Sequence, residues 1–139
     1  MKIINGEGLI LGRVCTEAAK AALSGEEVKI VNCEKIIVSG EKQKIFAHEK
    51  EKRDRKGYPL KSAKFSKLSD RFVRRTVRGM LPFKTARGKE AYRRVMCHIA
   101  VPEEFKEQMK TIEKANANKL PTLKYTTIGA VSNWLRGKK

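Results

Sequence analysis

Arg71, Arg74, Arg75 and Arg78 recur at i, i+3, i+4 and i+7, the spacing that lines four side chains along one side of an α-helix. Leu68, Phe72, Val73, Thr76 and Val77 fall on the other side, so one face is fitted to a core and the other presents guanidinium groups in a row. All four cations are arginine, whose planar fork binds a phosphate through two parallel hydrogen bonds, where lysine offers a point charge. The pattern runs on through Lys84, Arg87, Lys89, Arg93 and Arg94, with Glu90 the single acid between Arg71 and Arg94. A solvated helix face is the plain reading of an isolated basic helix. Nine cations against one acid ask for a polyanion, and the electrostatics point to nucleic acid.

The stretch before this helix adds Arg53, Arg55, Lys56, Lys61 and Lys64, which are read with it as phosphate contacts. Gly57 and Pro59 within 56–66 make that part an extended arm or loop with no helical period. Tyr58, Phe65 and Phe83 interrupt the charges, and each could stack on an unpaired base or only anchor its loop. Gly57, Gly79 and Gly88 would let a backbone come close to phosphates, although turn geometry explains Gly79 better. The motifs of portable sequence readers are absent: there is no aromatic RNA-recognition motif, no GxxG clamp and no zinc finger. The expected grip is on shape and backbone.

Two other constellations carry less. Gly6, Gly8 and Gly12 follow a strand and open a helix, and Glu34 lies about 20 residues on, in imitation of a dinucleotide fingerprint. Leu9, Ile10 and Leu11 are bulky where a phosphate cradle needs small residues, so turn glycines closing a βαβ unit are the better reading. The competing enzyme or nucleotide-binding class rests on those four residues. No catalytic residues, metal ligands or cofactor are expected: His48 and His98 have no partner at a recognisable spacing, and no serine stands in a nucleophile elbow. Cys15, Cys33 and Cys97 are odd in number, widely spaced and without CxxC, which makes them small core residues. A free-standing DNA regulator is a third class, though the basic run lacks the Asn and Gln that usually read adenine.

The elements that must hold these residues follow from periodicity. Lys2–Asn5 reads as an edge strand, and Leu11, Val14, Ala18, Ala21 and Ala22 as a helix with Gly25 as its terminal cap. Val28–Cys33 is a β-branched strand and Ile36–Val38 a shorter one. A helix spans Glu41–Arg55. The arginine helix has Ser66 or Ser69 as N-cap and ends at Gly79 and Pro82. A short helix over Gly88–Arg94, a strand over Val95–Val101, a helix over Glu103–Ala115 and a last helix around Val131–Leu135 complete the chain. The sequence carries 32 Lys+Arg against 15 Asp+Glu, net +17. Of this, residues 50–94 hold 17 basic and 4 acidic side chains, a net of +13. A soluble scaffold with a concentrated polyanion-binding middle follows. A chain this long buries about 68% of its unfolded surface as one domain, here 1–139. No apolar run approaches a membrane span and the N-terminus lacks a signal peptide, so a cytoplasmic protein is the default.

At VRGMLPFKTARGKEAYRRV, residues 77–95, the chain resembles the large-subunit ribosomal protein thirteen family. The string Arg78-Gly79-Met80-Leu81-Pro82, then Lys84-Thr85 and Arg87-Gly88, carries the resemblance. Residues 9–40 are similar to the N-terminal half of that family, and Val101-Pro102-Glu103-Glu104-Phe105 to its archaeal branch. The histidine-rich turn of the bacterial type is missing. The resemblance implies a Rossmann-like three-layer α/β/α sandwich on a four-stranded parallel sheet, with a basic insertion for RNA. It implies a structural, non-catalytic protein that binds large-subunit ribosomal RNA, supports subunit assembly and meets neighbouring ribosomal proteins. No membrane and no homo-oligomer are expected.

Overall fold

The computed structural model describes residues 1–55 and 65–137. A three-stranded parallel sheet takes the order β1–β2–β4, from Lys2–Asn5 (β1), Val28–Val31 (β2) and Val95–Cys97 (β4). β3 (Ile37–Ser39) pairs antiparallel with β5 (Tyr125–Thr127) in a separate two-stranded sheet. Where a four-stranded parallel sheet was expected, three strands pair in this way among the described residues. The outer edge of β1 is met by a single backbone bridge: the Lys110 N–H donates to the Ile3 carbonyl at 3.0 Å, and the Lys110 carbonyl accepts from Asn5 at 3.1 Å.

α1 (Leu11–Leu23) links β1 to β2 as the periodicity required. Gly25 follows it at φ +97°, a conformation that costs glycine nothing, and its N–H donates to the Ala22 carbonyl. The buried face of α1 consists of Val14, Cys15, Ala18, Ala19, Ala21 and Ala22. These small side chains let α3 (Ser69–Met80) and α4 (Ala86–Arg93) pack closely on it. Val73 and Val77 of α3 enter the same core beside Ile4, Leu9, Ile30 and Val95. Full burial of a valine stabilises the fold by about 1.5–3 kcal/mol, so these two positions fix the face on which α3 sits. α2 (Lys42–Asp54) and α5 (Ile128–Leu135) pack together, with Phe46 stacked on Trp134 at 4.8 Å.

Several boundaries moved. β2 stops at Val31 because Asn32 is left-handed, at φ 55°. β4 is three residues long, not seven: beyond Cys97 the His98 and Ala100 carbonyls turn to accept from Cys33 and Asn32. No helix spans Glu103–Ala115. Two 3-10 turns, Glu103–Phe105 and Glu113–Ala115, flank a segment whose backbone bonds are claimed by β1 instead. Ser69 lies inside α3, buried, and not at its cap; the Ser66 hydroxyl accepts from the Leu68 N–H just upstream. Cys15 and Cys33 are buried as expected and Cys97 half-buried, all as free thiols. Burial pushes the Cys15 thiol up to about 12. A hydrogen bond with Cys97, then burial, raises that of Cys33 beyond the usual thiol range.

Candidate nucleic-acid interface

The arginine helix forms one wall of an open cleft of about 720 Å³. Arg71, Arg74, Arg75, Arg78 and Gly79 line that wall, and Lys52, Arg53, Phe65, Ser66 and Tyr92 add to the lining from outside α3. The hydrophobic stripe of α3 is pinned by Val73 and Val77, so the arginine stripe has no choice but to face outward. Arg71 is exposed and Arg74, Arg75 and Arg78 are half-buried.

The half-buried arginines share one arrangement. The Arg75 guanidinium lies 3.9 Å from the centre of the Phe65 ring, Arg74 lies 4.6 Å from Tyr92, and Arg78 lies 5.3 Å from Phe83. Phe83 in turn meets Tyr92 edge-on at 5.3 Å. Each cation is thus backed by an aromatic face, which attracts it through the ring quadrupole and fixes its plane. Burial, then the neighbouring charge of Arg78, lowers the Arg75 pKa from its ordinary value. Both causes disfavour the cation in isolation and would be relieved by an anion. The Arg74 Nε and the Asp70 Oδ1 are buried without a hydrogen-bond partner.

Arg53 was expected to reach a phosphate and is occupied elsewhere. Its side chain is 9% exposed and pairs with Glu49, 11% exposed, at 2.7 Å. It also donates to the Glu49 carbonyl at 2.8 Å and to the Ser66 carbonyl at 3.0 Å. Those bonds tie the end of α2 to the chain entering α3, so Arg53 builds the far wall of the cleft. Arg94 is also spoken for: it donates to the Ala22 carbonyl at 3.3 Å and stands 3.9 Å from Glu90, bracing the C-terminal end of α1, where a cation is favoured. Arg55 is exposed and paired with Glu51 at 2.6 Å; its hydrogen bond and charge lower the Glu51 pKa. Lys56, Lys61, Lys64, Tyr58 and Gly57 lie outside the described residues.

The remaining cations stand apart from this cleft lining. Lys84 in the turn and Arg87, Lys89 and Arg93 of α4 are all exposed. None of them, and none of Arg71, Arg74, Arg75 and Arg78, stands in an ion pair among the described residues. The Thr85 hydroxyl caps α4 by accepting from the Gly88 N–H at 3.2 Å. Gly88 does allow a close approach, but to its own chain: a Cβ there would collide with the Pro82 carbonyl. That contact folds the 81–85 turn against α4 and sets the angle between the two surfaces. Sequence reasoning missed Tyr92 and Lys52, which reach the cleft from other elements and carry no local signal.

In the dinucleotide-like loop the N–H of Gly8 donates to the Lys35 carbonyl at 3.4 Å, that of Leu9 to Gly6 at 3.1 Å and that of Ile10 to Ala115 at 2.8 Å, so these three donors are committed to the chain itself. Leu9 is fully buried. Glu34, in the ribose-binding place, accepts from the Ala100 N–H at 3.1 Å, where the backbone is left-handed. His98 sits beside Phe105 with its Nε2 unpartnered, and His48 is exposed on α2.

Comparison with known proteins agrees with the residue pattern. The family described as Ribosomal protein L13 matches residues 1–104. The large ribosomal subunit protein uL13 of Archaeoglobus fulgidus is 42% identical over 135 residues, 96% of this chain and 86% of that protein. Proteins of the same name from Methanococcoides burtonii and Methanocaldococcus jannaschii are 41% and 38% identical, each covering 99% of both chains. The chain belongs to the ribosomal protein L13 family.

Proposed function

We propose that this protein is a structural constituent of the large ribosomal subunit, binding ribosomal RNA of that subunit and supporting its assembly. The observation that carries the reading is the set of eight cations on and around α3 and α4, Arg71, Arg74, Arg75, Arg78, Lys84, Arg87, Lys89 and Arg93, none in an ion pair among the described residues. Left unneutralised on one side of a domain, they repel one another, and a phosphate backbone reverses that cost. Arg55, Lys56, Lys61 and Lys64 extend the contact. Arg53 and Arg94 serve it by holding the walls in place.

The proposal places the protein on cytoplasmic ribosomes beside other large-subunit proteins, and it includes no membrane, no homo-oligomer and no catalytic step. It also takes in the three-layer sandwich of the resemblance. Support for one helical layer of it comes from the parallel β1–β2–β4 sheet and from α1, α3 and α4, which pack on its strands and on one another.

Sedimentation of cell lysate through a sucrose gradient at moderate salt tests the reading. Co-migration with the large subunit, released only by strongly dissociating salt, is expected. Protein left at the top of the gradient would remove the ribosomal role and return the DNA-binding class to consideration.

A further inference from the structure

We infer that the cleft between α3 and the Phe65–Ser66 segment receives an unpaired nucleotide of the bound RNA, its base stacked on the outer plane of the Arg75 guanidinium. The inference rests on the RNA-binding reading above and narrows the class of RNA it would choose.

Shape comes first. A volume of about 720 Å³ is that of a small-ligand pocket, which ranges over roughly 300–1,000 Å³. It holds one nucleotide and cannot admit a duplex. Arg74, Arg75 and Arg78 are half-buried within it, so the smooth backbone of a paired helix, passing over the mouth, would leave them short of their phosphates. A nucleotide turned out of a helix reaches them.

Stacking comes second. Phe65 lies directly behind Arg75 at 3.9 Å, the shortest of the cation–aromatic approaches here. One face of the guanidinium is thereby covered and held, which leaves its other face for a stacking partner in the cleft that Arg75 lines. Guanidinium planes serve as stacking platforms for splayed-out bases in RNA recognition. One arginine lies over each of the Phe65 and Tyr92 rings. Arg71, exposed at the rim, and Arg78 are placed for the phosphates on either side of the inserted base. The unpartnered Arg74 Nε is a donor available to the base or its sugar.

Fluorescence anisotropy with three RNAs of equal phosphate count tests this: a fully paired duplex, the same duplex with a short bulge, and a free single strand, with AMP as a competitor. Wild-type protein is expected to bind the bulged RNA at least tenfold more tightly than the paired one. Arg75→Lys keeps the charge and removes the plane, and it should erase most of that ratio. Phe65→Leu, which leaves the plane unsupported, should reduce it, with circular dichroism checking that both variants fold. Equal affinity for bulged and paired RNA, or a ratio unmoved by Arg75→Lys, overturns the proposal and leaves a phosphate cradle. AMP displacing the bulged RNA with micromolar affinity would also overturn it, by making the cleft a site for free nucleotides. Failure to bind all three RNAs sinks the ribosomal RNA reading itself, a result distinct from loss of preference.

Discussion

α3 and α4 carry similar numbers of cations and use them differently. On α3 Arg74, Arg75 and Arg78 are half-buried, each backed by an aromatic ring, along the wall of a cleft, with Arg71 exposed. On α4 and the turn before it, Lys84, Arg87, Lys89 and Arg93 are exposed and outside any ion pair among the described residues. An exposed lysine or arginine contributes a long-range charge that any phosphate can satisfy. A guanidinium stacked on a ring contributes orientation as well, and rejects what does not fit its plane. Composition counts the two sets as one basic stretch, whereas packing separates exposed cations from ring-backed ones, which the proposal assigns to affinity and to selection.

The largest effect should be collective. If about 6 to 10 phosphates are contacted, affinity for RNA should fall by about 10³–10⁵ between 50 and 200 mM salt. A nearly flat salt response would break the comparison at its root, since neither surface would then be meeting phosphate.

Next in size are changes to the frame that keeps the two surfaces distinct. Glu49→Ala leaves the Arg53 charge buried and unpaired, a loss of about 3–5 kcal/mol when one partner of a buried pair is removed. A urea midpoint close to wild type would show that the Arg53–Glu49 pair does not hold the cleft wall. Gly88→Ala forces the Pro82 turn away from α4, at about 1–3 kcal/mol for overpacking. Because that turn sets where the α4 cations point, RNA affinity should fall as well.

The smallest effect sharpens the contrast most. Lys89→Ala should leave stability within about 0.5 kcal/mol, as exposed substitutions do. It should reduce the salt slope by about 1 and weaken all RNAs to a similar degree. A change in the ratio between bulged and paired RNA on losing Lys89 would mean that α4 takes part in selection too.

Much of this was readable in the sequence where the signal is local. The i, i+3, i+4, i+7 spacing of the arginines gave both faces of α3, because Val73 and Val77 leave a helix only one way to dock. The alanines and Gly25 gave α1 and its end. The helix expected over Glu103–Ala115 failed because propensity was overruled: the unpaired edge of β1 binds the Lys110 backbone, and an edge bond and a helical bond cannot both be made by one N–H. The pairing of Arg53 was hidden for a related reason. Nothing within its own stretch reveals that Glu49 would be buried beside it. The cleft itself was out of reach, since Arg53, Phe65 and Tyr92 come from three places and meet only in the folded chain.

The Lys110 bridge to β1 and the pairing of Ile37–Ser39 with Tyr125–Thr127 bear on the order in which this molecule can be finished. Both tie early segments to partners about 85 to 110 residues later, and contacts so distant in sequence are late and slow to form. On a chain made from its N-terminus, the edge of the first strand must wait until most of the protein exists. α3 and α4 are neighbours in sequence and need no such wait. The helices that carry the proposed RNA contacts can therefore be in place while the scaffold behind them is still open, with closure of that scaffold expected late in folding.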